Sequence, residues 1–186
     1  MSPTFLIIVV VGVLLAFVFI GIYNKLVRLR QNVKESWSAI DTELRRRYDL
    51  IPNLVETVKG YATHERGTLE AVIAARNAAS SNQGTPAQQA QTEDALSGTL
   101  RQLFALTESY PDLKANTNFT QLQGELGETE TRISQARRFY NANVRELNTA
   151  IEIFPSSIIA GMGGFKGAEY FEIEEAAARA PVQVKF

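Results

Sequence analysis

Two long stripes of apolar residues, each advancing by three or four positions, run through the chain. The first passes through Leu26, Leu29, Val33, Trp37, Ile40, Leu44, Tyr48, Ile51, Val55 and Val58. The second passes through Phe119, Leu122, Leu126, Thr129, Ile133, Ala136, Tyr140, Val144, Leu147 and Ile151. This spacing lines one face of a helix, so each stripe predicts a long helix that needs a partner. Ahead of the first stripe, Phe5 to Ile22 is eighteen consecutive apolar or glycine residues, and no charged side chain occurs from Ser2 to Asn24. That run is about long enough to cross a hydrocarbon core as a single transmembrane helix.

Neither glycine nor proline interrupts Tyr23 to Ile51, so the anchor and the first soluble helix are expected to form one rod. Pro52 cannot donate to the Tyr48 carbonyl and crowds that turn, which predicts a bend near Asp49 to Asn53. The stripe resumes at Leu54 and Val55, favouring a kink over an end. A carbonyl that loses its helical donor needs another. Asp49, Pro52, Asn53 and Asn141 are therefore expected to form a polar cluster that fixes the kink.

Between the stripes, punctuation predicts two further helices. Leu69, Val72, Ile73 and Arg76 share one side of a helix from about Thr68 to Ser80. Ser80 to Pro86 reads as a loop, and Thr85, Pro86 and Gln88 have the spacing of a capping box with proline at the first helical position. The helix that follows should reach about Ser109 and bury Leu96, Leu100, Leu103, Phe104 and Leu106. Its polar start, Ala87 to Ser97, is expected to be exposed or loosely packed. Tyr110 and Pro111 stop it, Asn118 with Gln121 is the candidate cap of the fourth helix, and Pro155 ends that helix.

The predicted fold is all-α: a transmembrane helix continuing into an antiparallel four-helix bundle with long first and fourth helices. At a rise of about 1.5 Å per residue, the first soluble helix climbs roughly 55 Å and the fourth descends as far, returning Phe154 to the membrane side. The corresponding plan is an anchor over residues 1–23, a cytoplasmic bundle over 24–155 and a glycine-containing tail over 156–186. Within the tail, Ala168 to Ala180 reads as a short acidic helix and Pro181 to Phe186 as an extended end.

Charge orients this plan. Lys25, Arg28, Arg30 and Lys34 follow the apolar run, and no basic side chain precedes it. The positive-inside rule then predicts the N-terminus outside and the C-terminal part in the cytoplasm. The run lacks the basic start, short core and small-residue cleavage site of a removable leader, so the anchor is expected to be retained. Nineteen basic against twenty acidic residues leave a formal charge of −1. That balance lacks the basic excess of a nucleic-acid binder, and no nucleic-acid partner is expected. Arg45, Arg46 and Arg47 concentrate charge about 30 Å along the helix from Lys25, several Debye lengths from the headgroups. They fit either a docking surface for an acidic partner or a solvated face, where Asp41–Arg45, Glu43–Arg47 and Glu128–Arg132 have i, i+4 spacing.

The residues offer little chemistry. The absence of cysteine excludes disulfides, thiolate nucleophiles and Cys-ligated metals. His64-Glu65 opens an H-E-x-x-H pattern that Thr68 fails to complete, and His64 is the single histidine. A Ser-His-Asp triad and a Glu-x-x-His di-metal site are correspondingly disfavoured. Gly161-Met162-Gly163-Gly164 lacks the lysine of a phosphate loop and reads as a flexible connection. No catalytic residue, cofactor or metal is expected.

The run Arg46-Arg47-Tyr48-Asp49-Leu50-Ile51-Pro52-Asn53-Leu54-Val55 closely resembles the signature of the LemA family of bacterial membrane proteins. Tyr110-Pro111-Asp112-Leu113-Lys114-Ala115, Arg138-Phe139-Tyr140-Asn141, Phe154-Pro155-Ser156 and Gly164-Phe165 extend the match from about Tyr23 to Phe165. The resemblance implies a single-pass anchor in the bacterial inner membrane and a soluble helical bundle. It supplies no catalytic residues; some such proteins accompany a membrane-bound zinc protease, and a distant relative takes part in magnetosome formation. The resulting expectation is a non-enzymatic scaffold or adaptor, homo-oligomeric and in contact with the lipid bilayer; the alternative is a regulatory partner of a membrane protease. The tail residues Ile158, Ile159, Met162 and Phe165 are expected to pack on a neighbouring subunit or on the membrane interface.

Overall fold

In a computed structural model, which describes residues 2–172, proline and asparagine mark most of the helix boundaries. The order is α1 (Pro3–Lys59), α2 (Arg66–Ser81), α3 (Pro86–Thr107), α4 (Pro111–Lys114), α5 (Thr117–Glu152) and α6 (Ser156–Met162). No strand occurs among the described residues. The apolar run and the first stripe share α1, and Pro52 lies inside that helix rather than at its end. The cap of α5 is Asn116, whose Oδ1 accepts from the Phe119 amide at 3.0 Å, rather than Asn118. Two short helices were not anticipated. Pro111 stops α3 but also opens α4, whose Leu113 is buried, and Ser156 to Met162 coils into α6.

The chain divides into two compact units. The first comprises Met1–Ala39 with Arg138–Ala168. Here α1 and α5 run antiparallel: the Trp37 and Tyr140 rings lie 5.4 Å apart, and Asn143 Nδ2 donates to the Asn32 carbonyl at 3.5 Å. Leu26, Leu29 and Val33 are buried on α1, as are Val144, Leu147 and Ala150 on α5. Each of these leucines and valines contributes about 1.5–3 kcal/mol on full burial.

Gly161 to Gly164 is an ordered cap rather than a flexible connection. Gly164 adopts φ 64°, the Phe165 amide donates to the Ala160 carbonyl at 3.0 Å and the Gly164 amide donates to the Gly161 carbonyl at 3.3 Å. This is the bonding of a Schellman motif, with glycine at its left-handed position. A Cβ on Gly163 would stand 2.8 Å from the Phe165 ring. The turn delivers Phe165 edge-on to Tyr23, with centroids 5.7 Å apart, and the Arg30 guanidinium lies 4.9 Å from the Phe165 centroid. Asn148 then holds the backbone of Ala168 by two hydrogen bonds, at 2.8 and 3.0 Å.

The second unit comprises Ile40–Arg137 and the described residues from Glu169. Ile40, Leu44, Ile51, Leu54 and Val58 of α1 are buried, with Leu69 and Val72 of α2, Leu96, Leu100 and Leu103 of α3, and Phe119, Leu126 and Ile133 of α5. The Thr85–Gln88 capping box forms as expected, opening α3. The start of α3 departs from expectation: Gln89, Ala90 and Glu93 are buried. Residues 168–172 form no helix, and the remainder of the expected acidic helix and the extended end lie outside the described residues.

Candidate functional site

The polar start of α3 is buried because Glu93 faces a guanidinium and Gln89 bonds to a phenol and a backbone carbonyl. Arg47 and Glu93 are 1% and 0% exposed, and Arg47 Nη2 bonds to Glu93 Oε2. Glu93 Oε1 accepts from the Tyr48 hydroxyl and, at 2.7 Å, from Gln89 Nε2. Gln89 Nε2 also lies 3.0 Å from the Tyr48 hydroxyl and 3.1 Å from the Ala79 carbonyl. Arg47 Nη1 reaches Glu130 Oε2 on α5 at 2.7 Å. The cluster thereby joins α1, α2, α3 and α5. Burial pushes the Tyr48 phenol up to about 12, with the Arg47 charge opposing that shift.

This placement corrects the expected surface role of Arg47. Its side chain turns inward to Glu93 instead of along the helix to Glu43, so it is unavailable to an outside partner. Charge that is out of water persists when it is paired and hydrogen-bonded. Glu93 meets that condition, with three donors on one carboxylate. With both side chains enclosed, the pair pins α1 to α3.

The signal for the pin was present in the helical period. Extended backward, the apolar stripe Leu103, Leu100, Leu96 continues by steps of three and four to Glu93 and Gln89. Arg47 likewise falls between Leu44 and Ile51 on the buried side of α1.

The carbonyl released by Pro52 also has a partner, but a different one from that expected. Arg76 Nε, on α2, donates to the Tyr48 oxygen at 3.1 Å. Asp49 and Asn53 are exposed, Pro52 is half-buried, and Asn141 is half-buried in the other unit. Asp49 and Asn53 do share an open depression of about 610 Å³ with Asp41, Thr42, Arg45, Arg46 and Leu50. Arg45 is paired there with Asp41 at 2.9 Å, leaving a surface of mixed charge.

The four tail residues divide. Ile159 and Phe165 are buried, whereas Ile158 and Met162 are exposed. His64 is exposed, and no group of side chains suited to a metal occurs among the described residues.

The chain is 27% identical over 147 residues to the protein LemA of Metamycoplasma hominis, covering 77% of this chain and 66% of that protein. It is 35% identical over 83 residues to the magnetosome protein MamQ 2 of Paramagnetospirillum magneticum. The corresponding figure for the magnetosome protein MamQ of Magnetospirillum gryphiswaldense is 32%. Both matches cover 45% of this chain and 30% of the magnetosome protein. The N-terminal part of α1 is long and apolar enough to cross a membrane, which fits a membrane-associated protein. The LemA family profile matches residues 36–186, taking in the Arg47 pin and all of α2 to α6, and the chain belongs to the LemA family.

Proposed function

We propose that the chain is a non-enzymatic, single-pass scaffold or adaptor of the bacterial inner membrane, with its N-terminus outside and its helical part in the cytoplasm. It works as a homo-oligomer through helix-to-helix contacts and serves membrane or envelope organisation. The observation that carries this reading is the continuity of α1, in which the apolar segment and the buried stripe are one helix. Such a helix ties the position of a folded surface directly to the bilayer. The inward commitment of Arg47, Tyr48, Gln89 and Glu93 supports a structural over a catalytic use of the most polar part of the interior.

Cross-linking of the full chain in native membranes, followed by mass spectrometry, tests the proposal. The expected products are homo-oligomers linked between exposed faces. A chain that remains monomeric would defeat the oligomeric scaffold. Recovery of a membrane-bound protease as the principal linked partner would favour the regulatory alternative, with the mixed-charge depression around Arg45 and Arg46 as the surface to map.

A further inference from the structure

Besides the single side chains of Tyr23 and Phe139, the unit formed by Met1–Ala39 and Arg138–Ala168 groups its exposed large apolar side chains in two places. One is the run from Phe5 to Ile20; the other is the corner between α5 and α6. At that corner Ile153, Phe154, Ile158 and Met162 are 52%, 80%, 57% and 74% exposed. Ile158 and Met162 stand one turn apart on the same side of α6, while Ile159 and Ala160 are buried.

Two separate observations fix the level of this corner along α1. Antiparallel helices advance by equal rises, so the Trp37–Tyr140 and Asn32–Asn143 contacts, carried to the end of α5, bring residues 152–154 opposite Tyr23. On the far side of α6, Phe165 packs against Tyr23 itself. Both ends of α6 therefore lie at the height of Tyr23, and the helix runs across α1 rather than along it. Tyr23 directly follows Ile22, the last residue of the apolar run. That is the level of the headgroups if α1 crosses the bilayer, and it is where aromatic residues concentrate. Lys25 and Arg28 are exposed just beyond it, in position for anionic headgroups.

We propose that the α5–α6 corner is a second membrane attachment. Phe154, Ile158 and Met162 enter the boundary between headgroups and acyl chains of the leaflet from which α1 emerges, and α6 lies in the plane of that boundary. Short amphipathic elements bind membranes in this way, by burying one apolar face at the interface. The occupant is the bilayer rather than a second copy of the chain, because the corner is continuous with the membrane-crossing segment and its height is set within one chain. The inference rests on α1 spanning the membrane, and it adds a lateral contact that a plain single-pass anchor lacks.

The absence of native cysteine permits a clean test with the full-length protein. Single variants Phe154→Cys, Ile158→Cys, Met162→Cys and, as a control, Ala142→Cys are labelled with an environment-sensitive fluorophore in vesicles of phosphatidylcholine and phosphatidylglycerol. All four positions are exposed. Brominated lipids are expected to quench the first three labels at a depth of about 5–10 Å below the headgroups. The Ala142 label, about 15–18 Å further along α5, should remain unquenched. Equal quenching at all four positions, in a chain that still resists carbonate extraction, would overturn the attachment while leaving α1 in the membrane. Shielding from aqueous iodide that is lost on dilution and is unaccompanied by lipid quenching would assign the corner to a second copy and overturn it also. Extraction by carbonate would overturn both the attachment and the membrane-spanning reading.

Discussion

Replacing Glu93 by Gln is the most direct test of the pin between α1 and α3. The change keeps the size of the side chain but removes the charge that compensates Arg47 inside the second unit. Three donors, from Arg47, Tyr48 and Gln89, converge on the carboxylate. A glutamine presents one oxygen and one NH2 group to them, so at least one donor would face another. The Glu130 carboxylate, 2.7 Å from Arg47 but 54% exposed, compensates poorly because solvent screens it. Removing one member of a buried ion pair costs about 3–5 kcal/mol. For a chain of this size, that corresponds to a fall in Tm of about 6–20 °C. Helical circular dichroism of the detergent-solubilised full chain, followed on heating and in urea, reads the effect. The paired variant Arg47→Met/Glu93→Leu should recover most of the loss, since apolar replacement of a whole buried pair is often neutral or stabilising. A Glu93→Gln protein within about 1 kcal/mol of the parent would refute the pin, whatever the paired variant does.

Three other expectations follow from the same geometry. Arg76→Met should cost about 1–3 kcal/mol in urea unfolding by orphaning the Tyr48 carbonyl, whereas exposed Asn53→Ala should stay within about 0.5 kcal/mol. Tyr48 is neutral in the fold up to about pH 12, while its unfolded phenol ionises near 10; the unfolded state therefore releases the proton first, and stability falls by about 2–3 kcal/mol as pH rises from 10 to 12. The difference in unfolding free energy between the parent and Tyr48→Phe should carry that slope, and parallel pH profiles would contradict it. Gly164→Ala should weaken the α6 cap by about 1 kcal/mol because φ 64° disfavours a Cβ; faster amide exchange at Phe165 would report it.

Local signals predicted much of the fold. The stripes marked α1 and α5, the Thr85–Gln88 box marked the start of α3, and the Ser80–Pro86 cluster marked the loop before it. The pin was hidden by reading each helix alone. Arg45 to Arg47 looked like surface charge because Glu43 was available at i−4, yet Arg47 pairs with a residue 46 positions away. A single-helix view cannot supply the fourth helix wall that makes such burial tolerable. Pro52 leaves a carbonyl that takes a new donor, but that donor, Arg76, reaches Tyr48 from another element and is not visible in α1 alone. Gly161 to Gly164 looked loose because glycine also serves turns that need φ above zero, and the aromatic it positions comes after it in the chain.

The unbroken helix from Tyr23 to Ala39 gives the molecule something like a drive shaft. Each residue of such a helix is a fixed step of about 1.5 Å along the axis and 100° around it, with no joint at which torque can be dissipated. If the apolar segment spans a bilayer, a twist or tilt imposed on it would reach Leu26, Leu29 and Val33 in phase. There it would press on the side chains of α5 and, through Tyr23, on the Phe165 ring. If α1 spans a bilayer, such a rotation or tilt would be a mechanical input to the first unit that requires neither a ligand nor a reaction.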